Sequence, residues 1–92
     1  MIRSFRDKET AAIFDRRRVR RFQQIADVAL RRLVQIDSAE EIRDLRSPPA
    51  NRLETLKGDR AGQYSVRIND QYRVCFRWKG GHAFDVEITD YH

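Results

Sequence analysis

The stretch YSVRINDQYRVCFRW, residues 64–78, decides the fold class. Tyr64, Val66 and Ile68 alternate with Ser65, Arg67 and Asn69, and Tyr72, Val74, Phe76 and Trp78 then alternate with Arg73, Cys75 and Arg77. Period-two alternation marks a half-buried strand, because successive side chains point to opposite faces of a sheet. Asn69 to Gln71 separate the two runs by the short polar link that a hairpin needs. After the turn signal Lys79-Gly80-Gly81, Phe84, Val86 and Ile88 alternate with Asp85, Glu87 and Thr89. The pattern predicts an antiparallel meander with one apolar face. Its other face would carry Arg67, Arg73 and Arg77, with Asp85 and Glu87 placed to pair with them across strands.

Upstream of residue 64 the period changes. Phe22, Ile25, Ala26, Ala29, Leu30, Leu33 and Ile36 recur at helical spacing, with Gln23, Gln24, Asp27, Arg31 and Arg32 on the opposite side. That spacing predicts an amphipathic helix from Arg20 to Ile36. Asp7 is placed to cap a short helix through KETAAIFD, and IRSF (2–5) is a candidate first strand. Ser38-Ala39-Glu40-Glu41 has the spacing of a capping box, and SPPAN (47–51) ends the helical turn that the box would start. Helices followed by a meander make the α+β class, with the helices on the apolar face of the sheet.

The 92 residues suit a single domain, 1–92, and 40% hydrophobic content argues against disorder. Lys and Arg number 19 against 14 Asp and Glu, a net charge of +5. The excess is chiefly arginine, whose planar fork matches phosphate. The balance fits a nucleic-acid or acidic-protein partner, and equally a soluble domain with a basic exterior. One cysteine, Cys75, excludes an intramolecular disulfide and a cysteine-based zinc site. MIRSFRDKET lacks an apolar leader core, and no run of about 20 apolar residues is present. A cytoplasmic protein without a membrane association is expected.

Several groups are candidates for chemistry. DRRRVRR (15–21) presents Arg16, Arg17 and Arg18 either as a solvated linker or as a phosphate-docking patch for structured RNA. Outward Arg67, Arg73 and Arg77 are either ordinary surface residues or a cationic platform for phosphates. RLETLKGDRAG (52–62) holds Glu54 and Lys57 beside a turn bracketed by Gly58 and Gly62, and reads otherwise as a charged loop. Cys75 fits packing better than nucleophilic work. The closing EITDYH puts a carboxylic acid, a phenol and an imidazole side by side at Asp90, Tyr91 and His92. RNA is cut without a metal when its 2′-hydroxyl attacks the adjacent phosphate. That reaction needs a base, an acid and cations for the phosphorane charge. Histidine suits either proton role near neutral pH. A frayed tail is the plainer alternative.

LRSPPANRLETLKGDRAGQYSVRINDQYRVCFRW, the closing EITDYH and the opening MIRSF together resemble the HigB toxins, also called plasmid-maintenance killer proteins, of the RelE/ParE superfamily. NRLE and NDQ bring the chain nearest to the GraT-type subgroup. The resemblance covers essentially the whole chain. It implies a type II toxin that cleaves translated mRNA in the decoding site of the 70S ribosome, with no metal and no cofactor. It also implies a helix-turn-helix antitoxin of HigA type, through which alone operator DNA would be bound. Lys57, Arg73, Asp90, Tyr91 and His92 fall on family active-site positions. At Glu54 some HigB toxins carry histidine, which leaves open the identity of the second proton-transfer group. The alternative within the superfamily is a non-catalytic toxin of ParE type that blocks DNA gyrase by binding.

Overall fold

The computed structural model describes residues 1–90; Tyr91 and His92 lie outside the described residues. Among the described residues the helices are α1 (Lys8–Phe14) and α2 (Ala26–Ser38). The strands are β1 (Glu54–Thr55), β2 (Gln63–Arg67), β3 (Tyr72–Lys79) and β4 (His82–Asp90). They form one antiparallel sheet in the order β1-β2-β3-β4; β2 to β4 are the expected meander, and β1 pairs within a stretch that reads as a charged loop. No helix among them is long and apolar enough to cross a membrane.

Asp7 caps α1 as anticipated. Its Oδ1 accepts from the Thr10 amide at 2.7 Å, and its Oδ2 accepts from the Thr10 hydroxyl at 3.0 Å. Thr10 is fully buried, and its Oγ1 accepts from the Ile88 amide at 2.9 Å, so the cap also fastens α1 to β4. Ala29, Leu33 and Ile36 form the buried stripe of α2, packed on the sheet face made by Val66, Val74, Val86 and Ile88. Full burial of each larger apolar side chain contributes about 1.5–3 kcal/mol.

The helix expected from Arg20 starts later. Arg20–Phe22 is a 3-10 turn, and α2 begins at Ala26. Phe22 and Ile25 are three apart, and a 3-10 turn buries that spacing as well as an α-helix does. At the other end α2 runs through Ser38, so Ser38 caps nothing. The capping box is instead built by Glu41 and Asp44, whose Oδ2 accepts from the Glu41 amide at 3.0 Å. The last turn of α2 is held by tertiary contact, with Asp37 Oδ1 accepting from the Ile2 amide at 2.9 Å. IRSF does not form a regular strand. Ile2 and Phe5 make isolated parallel bridges to Ala83 and Val86.

Two features of the sheet depart from simple alternation. Cys75 pairs with Glu87 while Arg77 pairs with Phe84, so two residues of β4 oppose one of β3. This bulge, with Asp85 at φ 53°, reverses the facing of everything before it. Ala83 therefore fills the core, and Phe84, expected there, lies on the outer face. The outer face is also less solvated than expected at its centre, where Ser65 and Cys75 are 0% exposed and Gln63 is buried.

Candidate active site

The outer face of β3 carries Arg73, whose guanidinium is tied down on three sides. Nε donates to Ser65 Oγ at 2.7 Å, and Nη2 donates to the Arg52 carbonyl at 2.6 Å. Nη2 also lies 3.7 Å from Glu54 Oε1. The Arg73 side chain is only 14% exposed against 54% for Glu54, so a fixed cation sits beside an accessible carboxylate. Among the described residues no hydrogen bond falls on Nη1 of Arg73. An arginine held in this way faces an anion with little loss of side-chain entropy.

The local chain explains the anchoring. After the Pro49–Asn51 turn, Arg52 adopts a left-handed conformation (φ 44°), which turns its carbonyl toward Arg73. Buried Asn51 holds that turn by donating through Nδ2 to the carbonyls of Leu45 (3.2 Å) and Ser47 (3.3 Å). β1 follows and sets Glu54 opposite Ser65. The Leu56 amide donates to the Gln63 carbonyl at 2.9 Å, after which Lys57 leaves the sheet, exposed, and opens the 3-10 turn Gly58–Arg60. Glu54 and Arg73 thus meet on the outer face, whereas Lys57 lies past the end of β1.

Asp90 is placed differently. It pairs with Tyr72, one residue out of phase with Arg73, so alternation sends its carboxylate to the helix side of the sheet. There Oδ2 accepts from Gln71 Nε2 at 2.9 Å, at a hollow of about 480 Å³ shared with Arg21, Tyr72 and Glu9. The structure does not bring Asp90 to Arg73. Tyr91 and His92, the remaining candidates of this tail, lie outside the described residues.

Arg16, Arg17 and Arg18 are exposed in the link between α1 and the Arg20–Phe22 turn, within the helical layer and away from the outer face. Arg17 Nε pairs with Asp15 at 3.0 Å. Arg67 is paired with Asp70. Arg77 Nε lies 3.7 Å from Asp85, the cross-strand neutralisation expected of these faces.

The family model described as the RelE-like toxin of the type II toxin–antitoxin system HigB matches residues 3–92. The chain belongs to the HigB-like toxin family. Toxin HigB-1 of Vibrio cholerae is 41% identical over 64 residues, covering 70% of this chain and 67% of the relative. Endoribonuclease HigB of Proteus vulgaris is 33% identical over 93 positions that span 100% of both chains. A chain of the YoeB–YefM complex from Staphylococcus aureus superposes with a TM-score of 0.57, covering 100% of this chain and 98% of that one. At 18% identity that is a likeness of fold, of the α+β kind expected of a HigB-like toxin.

Sequence reasoning passed over Arg60, taken for part of a charged loop. Its Nη1 donates to Glu87 Oε1 at 2.8 Å and to Gln63 Oε1 at 3.2 Å, and Nη2 donates to Thr89 Oγ1 at 3.4 Å. It straps the turn that begins at Lys57 onto the outer face of β4. No local pattern marks it, because its partner is 27 residues away. Under this strap lies Cys75, whose thiol is pushed up to about 11 by burial and by the Glu87 charge, against the opposing pull of Arg60 and Arg73. A thiol so held is a packing group and not a nucleophile. Among the described residues no group of three His, Cys, Asp or Glu is gathered as a metal site.

Proposed function

We propose that this HigB-like toxin is a cytoplasmic endoribonuclease that cleaves mRNA being translated on the 70S ribosome and thereby arrests growth. The observation that carries the reading is the anchored Arg73 beside exposed Glu54, in a chain matched end to end by Endoribonuclease HigB of Proteus vulgaris. Cleavage proceeds by attack of the 2′-hydroxyl on the adjacent phosphate. Arg73 meets the phosphorane charge with a preorganised cation, the largest single source of stabilisation in such reactions. Lys57 supplies a second cation from the exposed loop that follows β1. Glu54 is within reach of whatever Arg73 holds and takes one proton-transfer role, with His92 taking the other. Tyr91 stacks on a base or aligns the reacting group. Asp90, across the sheet, acts as a positioning residue by holding Gln71 at the end of β4.

Arg16, Arg17 and Arg18 dock on ribosomal RNA through phosphates. The basic surface is restrained by a helix-turn-helix antitoxin of HigA type, through which the pair reaches its operator DNA. The toxin–antitoxin description of the family supports a protein inhibitor.

The test is single-turnover cleavage on purified programmed ribosomes, with mRNA ends mapped after induction in cells. Cuts within codons that need the ribosome are expected, with naked mRNA left intact. Arg73→Ala lowers the rate by about 10²–10³, and His92→Gln by about 10²–10⁴ with ribosome binding retained. Intact mRNA together with inhibited gyrase would move the chain to the toxins that act by binding.

A further inference from the structure

Beyond Arg73, β3 carries Arg77 on the same outer face, four residues along. A strand rise of about 3.3 Å per residue separates their Cα atoms by about 13 Å, and with Arg73 tied to Ser65 and Arg52 and Arg77 turned toward Asp85, each guanidinium serves its own site. Beside Arg77 opens a cleft of about 680 Å³ lined by Gly62, Arg77, Trp78, Lys79, Phe84 and Asp85.

This cleft exists because of the bulge. Regular alternation along Phe84, Val86 and Ile88 would bury Phe84 in the core. The extra residue instead turns Phe84 to the Arg77 side, at the cost of a left-handed backbone at Asp85 (φ 53°). Bulges of this kind re-aim side chains next to active sites. On the other wall Gly62 has φ 90°, and a Cβ there would come within 3.2 Å of Arg77 Nη1, so the glycine leaves room for the guanidinium. Two cations, Arg77 and Lys79, face one anion, Asp85, which leaves the lining positive. A half-buried aromatic ring, Phe84, beside two cations is what single-stranded RNA needs, since every base offers a face to stack and every linkage a charge to pair.

We propose that this cleft is a second RNA subsite, which takes one unpaired nucleotide of the strand whose scissile phosphate lies at Arg73. The base stacks on Phe84, and its phosphate meets Arg77 and Lys79. The proposal rests on the ribonuclease reading above and adds to it a place where the strand is gripped away from the cut.

Trp78, the protein's one tryptophan, borders the cleft while its ring packs edge-on against Phe76 on the core side, so its fluorescence reports on the cleft from behind the Arg77–Phe84 pair. The probe is an uncleavable 2′-O-methyl hexaribonucleotide at low salt, compared with inorganic phosphate and with an acidic peptide. A saturable change in Trp78 emission is expected with the oligonucleotide. Phe84→Ala weakens it by about 5- to 150-fold, the usual worth of one stacked base. Phe84→Tyr keeps it, and Arg77→Gln weakens it while flattening its salt dependence. Equal affinity in wild type, Phe84→Ala and Arg77→Gln overturns the subsite, and so does an equal response to phosphate alone. A response to the acidic peptide without one to the oligonucleotide makes the cleft a protein-docking surface and also overturns it. Ribosomal cleavage measured in parallel separates the two claims. Intact wild-type cleavage with no Phe84 or Arg77 dependence of binding sinks the subsite alone. A chain that cuts nothing but still binds the oligonucleotide through Phe84 sinks the ribonuclease reading alone.

Discussion

Replacing Arg60 with alanine tests whether the outer face is held by the strap described above. The Glu87 side chain is 15% exposed, and Arg60 Nη1 reaches it at 2.8 Å; Arg60 itself is 30% exposed. Breaking a fully buried pair from one side costs about 3–5 kcal/mol, because the remaining charge is stranded. Exposed pairs are worth about 0–1 kcal/mol. Here solvent reaches Arg60, and Arg6 Nε stands 3.8 Å from Glu87 as a second cation, itself 60% exposed. These place the loss for Arg60→Ala between the limits, at about 1.5–3 kcal/mol. Glu87→Gln costs about 1 kcal/mol, since the amide oxygen still accepts from Arg60. The double variant costs less than the sum, with a coupling of about 1–2 kcal/mol. Urea unfolding of the four proteins at neutral pH measures all of these. Because the strap carries the turn that begins at Lys57, ribosomal cleavage by Arg60→Ala should fall by about tenfold while Cys75→Ala leaves it unchanged. A loss under about 0.5 kcal/mol for Arg60→Ala, or strict additivity in the double variant, refutes the reasoning.

Thr10→Val keeps the shape but removes the hydroxyl that accepts from the Ile88 amide, so stability should fall by about 1–3 kcal/mol, read as a lower thermal midpoint. The Cys75 thiol, held up to about 11, stays protonated in the fold while an unfolded thiol ionises at lower pH. Stability from this group is therefore complete below the unfolded pKa and is lost as pH rises toward about 11. Alkaline urea titrations of Cys75→Ala should lack that part of the decline, and native protein at pH 8 should resist alkylation. Neutralising Arg16, Arg17 and Arg18 together should weaken ribosome binding and reduce its logarithmic salt slope by about 2, measured by sedimentation across a salt series. An unchanged slope would remove these residues from the docking surface.

The sequence by itself determined what local chemistry controls. Alternation over Tyr64–Ile68 and Tyr72–Trp78 specified two strands and their buried sides, because a one-residue slip would expose every apolar group. Gly80 and Gly81, both at positive φ, made the hairpin turn legible, and Asp7 announced the start of α1. The residue motifs sufficed for the family, and they placed Glu54, Lys57 and Arg73 as candidates. The tertiary structure decided where those patterns are degenerate. Phe84 and Ala83 could each have faced the core; the bulge at Asp85 chose Ala83, and no periodicity records a register shift. Ser38 and Glu41 both had cap-forming side chains, and packing carried α2 through Ser38. Arg60 read as a loop charge and Glu87 as a cross-strand partner of the β3 arginines, until the chain brought the two together over Cys75. Asp90, beside Tyr91 in the chain, faces away from Arg73 because strand pairing assigns sides residue by residue. Local sequence sets which atoms want burial or a partner, whereas the partner itself is chosen by strand register and by contacts between residues far apart in the chain.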